Sequence, residues 1–167
     1  TLVSGPTSLT RPNVERVINV DSADQMLEAC ESSLPADIAV CAAAVADYKI
    51  ANKEIAKIKK DGSRQNIILE ENPDILERLS KRNHLRPKLV VGFAAETSNL
   101  ERNSDEKLNK KGCDWVLGNN VSENSIFNQD TNKIYFTSKL YSENWELMTK
   151  KEVAKKLCQK ISLHLNN

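Results

Sequence analysis

The chain has 167 residues, with 24 Lys or Arg against 23 Asp or Glu and a formal net charge of +1. This length predicts one α/β domain, and a charge this close to zero argues against recruitment of nucleic acid or of an anionic membrane. No apolar run approaches the roughly 20 residues that a membrane span needs, and no signal peptide is visible, so a cytoplasmic protein without a membrane partner is expected.

The first predicted strand lies at the start of the chain. Residues 1–5 (TLVSG) predict a strand that runs into a turn, whereas a doubly wound domain usually begins with a strand, a Gly-rich turn and a helix. The first βα unit is therefore expected to be missing and the domain, 1–167, to be incomplete at its N-terminus. A short strand is predicted at 14–20, and Ser22 with Gln25 makes a capping box for the helix that follows.

The most informative segment joins a buried strand to a basic loop. Residues 38–45 (IAVCAAAV) predict a parallel strand, the small residues 42–46 allow a ligand to approach closely, and Asp47 follows the strand's carboxyl end. Ligands of open α/β sheets bind at that edge, and a carboxylate with nearby lysines suits a metal-bound polyphosphate. The lysines, in a segment predicted to be a loop or flap, are Lys57, Lys59 and Lys60. A core strand followed by a solvated basic loop is the alternative.

A helix start is predicted in the middle of the chain. A short edge strand at 67–69 precedes Asn72 and Pro73, which are typical of an N-cap and of the first helical position. The helix is expected to run to about Lys81.

The next segment repeats the strand design. Strands are predicted at 89–96 and 114–120, on either side of a helix at 100–111 that Gly112 terminates. Strands that alternate with helices of about a dozen residues imply right-handed crossovers and a mostly parallel sheet.

The last elements are a hairpin, at 133–137 and 145–148, and a helix capped by Thr149 and Glu152. Four side chains of this helix are expected to face inward: Val153, Leu157, Ile161 and Leu165. The fold class predicted is α/β, a Rossmann-like three-layer sandwich with a C-terminal β-hairpin and helix.

Cysteine and histidine spacing offers no metal or redox motif. The cysteines contain no C-x-x-C pair, so reduced, buried thiols are expected at Cys30, Cys41, Cys113 and Cys158. His84 and His164 lack the partners of a zinc site or of a Ser-His-Asp device.

The strand ends are expected to converge. Parallel strands place their carboxyl ends at one edge, so 44–47, 93–96 and 119–120 should line one crevice, with the start of the Asn72 helix nearby. Lys107 and Lys111 are four residues apart and share a helix face, where they either meet an anion or remain solvated surface charges.

Four separated motifs, in one order along nearly the whole chain, resemble a known family. The motifs are AAAVADY at 42–48, KIKK at 57–60, NPDIL at 72–76 and GFAAET at 92–97. They resemble bacterial phosphopantothenate–cysteine ligase, also called phosphopantothenoylcysteine synthetase, often the C-terminal half of a bifunctional coenzyme A biosynthesis protein. LVSGPT at 2–7 and the pair Lys107 and Lys111 also fit.

The resemblance implies a reaction and its partners. The carboxylate of 4′-phosphopantothenate attacks the α-phosphate of CTP, pyrophosphate leaves, and the amine of L-cysteine displaces CMP from the acyl-cytidylate. Mg²⁺ is the implied cofactor, and FMN is implied only if a phosphopantothenoylcysteine decarboxylase domain is fused upstream. A homodimer is implied, with contacts around Ala44.

The resemblance also implies the site residues. Lys57 and Lys60 match positions tied to catalysis, Lys60 and Ala44 match positions tied to activity and subunit contacts, and Asp47 is the implied metal ligand. The positions that match nucleotide contacts are Cys41, Ala42, Ala43, Asp47, Lys57, Pro73, Asp74, Ile75, Leu76, Phe93, Lys107 and Lys111. Lys57 is expected to offset charge as pyrophosphate leaves.

The chain departs from the family at its start. The family's Gly-Gly-Thr turn and Asn-x-Ser-Ser-Gly segment precede the point where this sequence begins, so these 167 residues alone are expected to have little or no ligase activity.

Two other classes of protein remain as alternatives. A NAD-dependent oxidoreductase shares the strand and helix pattern but needs a G-x-G-x-x-G turn and a hydride-transfer acid. An RNA-binding module using the lysines of 49–64 has only Tyr48 for stacking, in a nearly neutral domain.

Overall fold

The computed structural model describes residues 1–52, 62, 64, 66–121 and 131–166. The expectations for Lys57, Lys59 and Lys60, and for most of the loop that carries them, lie outside the described residues. The strands are β1 (Leu2–Ser4), β2 (Val17–Asn19), β3 (Ile38–Cys41), β4 (Tyr48–Ile50), β5 (Leu69–Glu71), β6 (Leu89–Glu96), β7 (Trp115–Asn120), β8 (Thr131–Ser138) and β9 (Ser142–Thr149). The helices are α1 (Ala23–Ser32), α2 (Ile75–Ser80), α3 (Leu100–Lys111) and α4 (Lys150–Leu165).

A five-stranded mixed sheet in the order β3-β6-β7-β8-β9 organises the described chain. The first three strands are parallel, with Cys41 beside Gly92 and Phe93 beside Leu117, and the β8–β9 hairpin adds two antiparallel strands. Two small sheets accompany it, β1 with β2 in parallel and β4 with β5 antiparallel. The α/β, Rossmann-like prediction with a C-terminal hairpin and helix is confirmed.

The two faces of the sheet are buried by different helices. Val91 and Leu117 point to the face covered by α4, where Val153 and Leu157 complete a core cluster. On the other face, Val90 and neighbours pack under α2 and α3. Because successive side chains of a strand alternate between faces, the buried first half of β6, Leu89 to Gly92, is apolar on both.

The helix ends follow local chemistry. Ser22 Oγ accepts from the N–H of Gln25 at 3.2 Å, and Gln25 Oε1 accepts from the N–H of Asp21 at 2.8 Å. The predicted Thr149–Glu152 capping box is present. Gly112 ends α3 at φ 70°, a left-handed conformation that glycine adopts without a Cβ penalty.

Some predicted boundaries are wrong. β3 ends at Cys41, not at Val45, since the small residues after it leave the sheet edge. β2 spans only Val17–Asn19, where it pairs with β1, and the edge strand near 67–69 lies at Leu69–Glu71, where it pairs with β4.

Three burial predictions are also wrong. No residue of β3 is buried and Val40 is 47% exposed, because β3 is an edge strand of the five-stranded sheet. Leu165 is 45% exposed, and its neighbour His164 contacts Trp115 instead, edge to face with ring centroids 5.2 Å apart. Cys158 is exposed since it lies about 100° around the helix from the buried Leu157. In the described part of the chain no helix is long and apolar enough to cross a membrane.

Candidate functional site

The candidate site begins where β3 ends, beside the middle of β6. Cys41, the last residue of β3, is aligned with Gly92, one residue before Phe93. Ala42, Ala43 and Ala44 follow as exposed residues, so their backbone groups are accessible. Small side chains at this point allow a ligand to contact main-chain N–H and C=O groups directly.

Helix α2 is held tightly against this edge. A Cβ atom at Gly92 would lie 2.5 Å from Leu76 Cδ2, so only glycine permits the observed packing of α2 on β6. Ile75 and Leu76 are each 8% exposed, so their side chains are buried rather than presented to a ligand. Pro73, just before the helix, is half-buried.

Asp74, rather than Asn72, is the N-cap of α2. Asp74 Oδ1 accepts from the N–H of Glu77 at 2.8 Å, and Pro73 therefore lies before the helix. The prediction of Asn72 as N-cap is wrong because both residues suit a cap and only the tertiary contacts decide between them. The helix ends at Ser80, with Lys81 as C-cap, as predicted.

Asn72 instead ties two segments together. Its side-chain Nδ2 donates to the carbonyl oxygen of Ala46 at 2.9 Å, and its backbone N–H donates to the carbonyl oxygen of Asp47 at 2.8 Å. The loop after β3 is thereby fixed to the segment that enters α2. The side chain of Asp47 is exposed beside this junction.

Lys111 joins α3 to the start of α2. Its Nζ forms an ion pair with Asp74 and lies 3.7 Å from Glu77 Oε2. Partial burial alone would raise the pKa of Asp74, but hydrogen bonds from Lys111 and from the Glu77 N–H, with the lysine charge, hold it below 3.8. The hydrogen bond to Asp74 raises the pKa of Lys111. Both groups are charged near neutral pH.

Lys107 and Phe93 meet through a main-chain contact. Lys107 Nζ donates to the carbonyl oxygen of Phe93 at 2.8 Å in a partly buried position. The Phe93 side chain packs against the core cluster on the opposite face, under α4, so its ring is only partly exposed. The ammonium group of Lys107 is also close enough to Asp74 to help lower its pKa.

Cys41 contributes no thiolate to this site. Burial, with neighbouring Cys30, Cys113 and Asp74, raises the pKa of its thiol to about 12. Burial likewise raises the pKa of Cys113 to about 11. Cys41 is therefore a neutral residue near physiological pH, and its main chain is the part suited to ligand contact.

The structure brings most of the predicted positions to one edge. Cys41, Asp74 and Lys107 lie within electrostatic reach of one another, and Lys111 is bonded to Asp74. Ala42–Ala44 and Asp47 are exposed along the adjoining loop. Lys57 and Lys60 are outside the described residues.

Sequence reasoning missed three contributors. The sequence analysis assigns no structural role to Gly92, does not single out Glu77, and predicts Asn72 as the helix cap that Asp74 provides instead. The signal for Gly92 was its place in an otherwise apolar buried strand, where glycine often marks a close approach of another element. Nothing in the sequence shows whether the side chain of Asn72 caps a helix or forms a hydrogen bond to another segment.

A metal would have few protein ligands here. Among the described residues, no group of three or more His, Cys, Asp or Glu side chains is placed to hold a metal ion. Mg²⁺ in nucleotide sites needs only one or two carboxylates, with phosphates and waters as its other ligands. The exposed Asp47 fits that requirement.

The curated relatives of this chain do not all carry one name: a cysteine/cysteine sulfinic acid decarboxylase is 37% identical over 166 residues, covering 96% of this chain and 46% of that protein. The chain is 38% identical over 162 residues to the coenzyme A biosynthesis bifunctional protein CoaBC of Haemophilus influenzae, covering 96% of this chain and 40% of that protein. It is 36% identical over 160 residues to CoaBC of Borreliella burgdorferi, covering 94% of this chain. The chain thus spans about two fifths of the length of these curated relatives.

The fold agrees with a solved structure of the same kind. The C-terminal domain of CoaBC superposes with a TM-score of 0.77 at 31% identity, covering 99% of this chain and 74% of that one. The model of the DNA/pantothenate metabolism flavoprotein C-terminal domain matches residues 1–164. The chain therefore belongs to the DNA/pantothenate metabolism flavoprotein C-terminal domain family.

Proposed function

We propose that this chain is the phosphopantothenate–cysteine ligase domain of a coenzyme A biosynthesis enzyme, using CTP. The observation that carries the proposal is the cluster at the sheet edge: the exposed main chain after Cys41 faces the start of α2, with Lys107 and Lys111 beside it. Two curated relatives, at 38% and 36% identity, are named coenzyme A biosynthesis bifunctional proteins. A solved neighbour in fold, at 17% identity and a TM-score of 0.63, is named as a Cab2 mutant in complex with phosphopantothenate-cysteine.

The proposed chemistry needs no protein nucleophile. The phosphopantothenate carboxylate attacks the α-phosphate of CTP and pyrophosphate leaves; the cysteine amine then attacks the acyl carbon and CMP leaves. Both nucleophiles belong to substrates, so the protein contributes positioning and charge stabilisation. This agrees with neutral thiols at Cys41 and Cys113.

Different residues at this sheet edge are proposed to have different roles. The main chain of Cys41, Ala42 and Ala43 is suited to pairing with the edge of the cytosine ring, because no bulky side chain blocks it. Lys107 and Lys111 place two positive charges near the first turn of α2, and Lys57 is proposed to meet the phosphates as pyrophosphate leaves. A unit-charge pair at 4 Å is worth about 4 kcal/mol at an effective dielectric near 20.

Asp47 is the proposed ligand of Mg²⁺. The bound ion would neutralise phosphate charge, and the loop that carries Asp47 is anchored by the two hydrogen bonds to Asn72. A decarboxylase domain with FMN is proposed as a fused or associated partner, since the curated relatives are named as bifunctional.

Pyrophosphate release by the full-length gene product tests the function. Turnover is expected only when phosphopantothenate, L-cysteine, Mg²⁺ and CTP are all present. Lys57→Gln is expected to lower kcat by about a hundred-fold or more with little change in melting temperature, as for other groups that stabilise transition-state charge. Lys139→Gln, on the exposed β8–β9 turn, is the matched control.

Two outcomes would reject the proposal. Turnover that does not require CTP or cysteine would reject the ligase reaction, and equal kcat for Lys57→Gln and the parent would reject the role of Lys57. Thermal stabilisation by NADH or single-stranded RNA, with none from CTP and Mg²⁺, would favour an oxidoreductase or an RNA-binding protein instead.

A further inference from the structure

Asn72 joins the segment after β3 to the segment before α2. Its predicted role as a helix cap does not explain these contacts, and it is not among the proposed site residues. The segment after β3 and the segment before α2 meet where the β4–β5 ladder ends, beyond the pair of Tyr48 and Glu71. Beyond this pair, Asn72 makes two further bonds, from its side chain to the carbonyl of Ala46 and from its backbone to the carbonyl of Asp47.

The chemistry of the side-chain bond is specific. A carbonyl oxygen only accepts hydrogen bonds, so the group of Asn72 that faces Ala46 is the NH₂ donor. Asp has nearly the same shape but, when ionised, offers only acceptors, so it would place two electron-rich oxygens together. An alanine would leave the carbonyl of Ala46 without this donor.

The hydrogen bonds of Asn72 connect the two parts of the proposed nucleotide site. Residues 42–47 carry the exposed main chain and Asp47, while Asp74 and the buried Ile75 and Leu76 are fixed to the sheet by α2. Asn72 is the link from the loop to the residues that lead into this fixed helix. Without its side-chain bond, the loop would move relative to α2 while the core stays intact.

We propose that Asn72 is a positioning residue that aligns the loop 42–47, and with it Asp47, to the nucleotide-contacting start of α2. This inference rests on the proposed CTP-dependent function. It predicts that Asn72 acts on binding of the nucleotide and leaves the cysteine step unaffected.

Replacement by aspartate separates this role from capping. Asp is as good an N-cap as Asn, so Asn72→Asp would be neutral if Asn72 were a cap. For the positioning role, Asn72→Asp in the full-length gene product is expected to raise KM for CTP about ten-fold, equivalent to about 1.4 kcal/mol. Asn72→Ala is expected to raise it by no more than Asn72→Asp does. KM for cysteine and the melting temperature are expected to change little.

The matched control is Asn109→Asp. Asn109 also donates from Nδ2 to a main-chain carbonyl, that of Asp105 at 3.0 Å, but from an exposed position two residues from Lys107 and Lys111, about 200° around α3. It is expected to match the parent in both KM values.

The outcomes distinguish failure of the proposed function from failure of the positioning role of Asn72. A parent enzyme without CTP-dependent turnover would refute the proposed function and this role with it. In an active parent, a KM for CTP that is unchanged by Asn72→Asp would refute the positioning role alone. Equal losses for CTP and cysteine with a lower melting temperature would also refute it, since that pattern indicates general destabilisation.

Discussion

Asp74 combines two interactions that usually belong to different residues. Its carboxylate caps α2 through the N–H of Glu77 and also pairs with Lys111 of α3. The side chain of Lys111 is only 18% exposed, so this pair is shielded from solvent better than most surface pairs. Asp74 thereby connects the start of one helix to the last turn of another at the candidate site.

The pH dependence of stability follows from this pair. The pKa of Asp74 is held below 3.8, so its contribution is present above that value and is lost as the pH falls through the lowered pKa. The pKa of Lys111 is raised above 10.5, so its contribution is lost only as the pH rises through the raised value.

Asp74→Asn in the full-length protein keeps the cap and removes the charge. The free energy of unfolding, measured by urea denaturation, is expected to fall by about 1 kcal/mol at neutral pH, and the difference from the parent should shrink in acid below the Asp74 pKa. Asp37→Asn, which breaks the well exposed pair with Lys88, is the control and should change stability less. A difference independent of pH down to acid unfolding would contradict this account.

At the scale of elements, the contact of α2 with β6 determines the geometry of the candidate site. Gly92 leaves the space that Leu76 fills, and Leu76 directly follows the first residue of α2. The packing of one helix on one strand therefore sets the distance between the main chain after Cys41 and the charged groups around Asp74.

Gly92→Ala is expected to overpack this contact. It should reduce the free energy of unfolding of the full-length protein by about 1–3 kcal/mol, because the new Cβ meets a fully packed side chain. In Gly92→Ala with Leu76→Ala, the loss should be smaller than the sum of the single losses by at least about 0.5 kcal/mol, since the clash is relieved.

Gly5→Ala is the matched control for Gly92→Ala. Its new Cβ would lie 3.8 Å from Met26 Cε, an ordinary contact, so stability should stay close to that of the parent. Additive losses at Gly92 and Leu76 in urea denaturation would show that the two positions do not interlock.

At the scale of the whole molecule, the β4–β5 ribbon presents an unusual surface. Tyr48, Ile50 and Leu69 are 55%, 47% and 57% exposed, and their register places them on one face, opposite the Lys49–Glu70 pair. Isolated two-stranded ribbons are marginally stable, and exposed apolar patches often mark interfaces. We therefore expect this face to form the interface of a homodimer.

Light scattering of the full-length protein at micromolar concentration tests the dimer. Twice the monomer mass is expected, and Ile50→Asp should shift the equilibrium toward monomer because it buries a charge in the interface. Leu140→Asp, at a position 91% exposed on the hairpin turn, should leave the mass unchanged. A monomeric parent would contradict the expectation.

The elements with strong local signals were predictable from the sequence. α3 has the predicted bounds, Gly112 ends it, and the Thr149–Glu152 capping box forms as expected. β6 also has its predicted extent. In each case the spacing of apolar residues and the residues at the end of the element predict the same boundary. Tertiary packing therefore did not shift that boundary.

The sequence by itself predicted the kind of domain and the sheet edge of the candidate site, because hydrophobic periodicity dictates the alternation of strands and helices and parallel strands direct their carboxyl ends to the same side. Only the tertiary structure decided that Asp74 caps α2, that Asn72 bonds to the loop after β3, and that the Phe93 ring lies on the opposite face. Ala46 and Asn72 are 26 positions apart in the chain, and Asp74 and Lys111 are 37 apart, so local propensity does not encode their contacts. Residues 46 and 72, or 74 and 111, become neighbours only when the core brings α2 against β6 and α3.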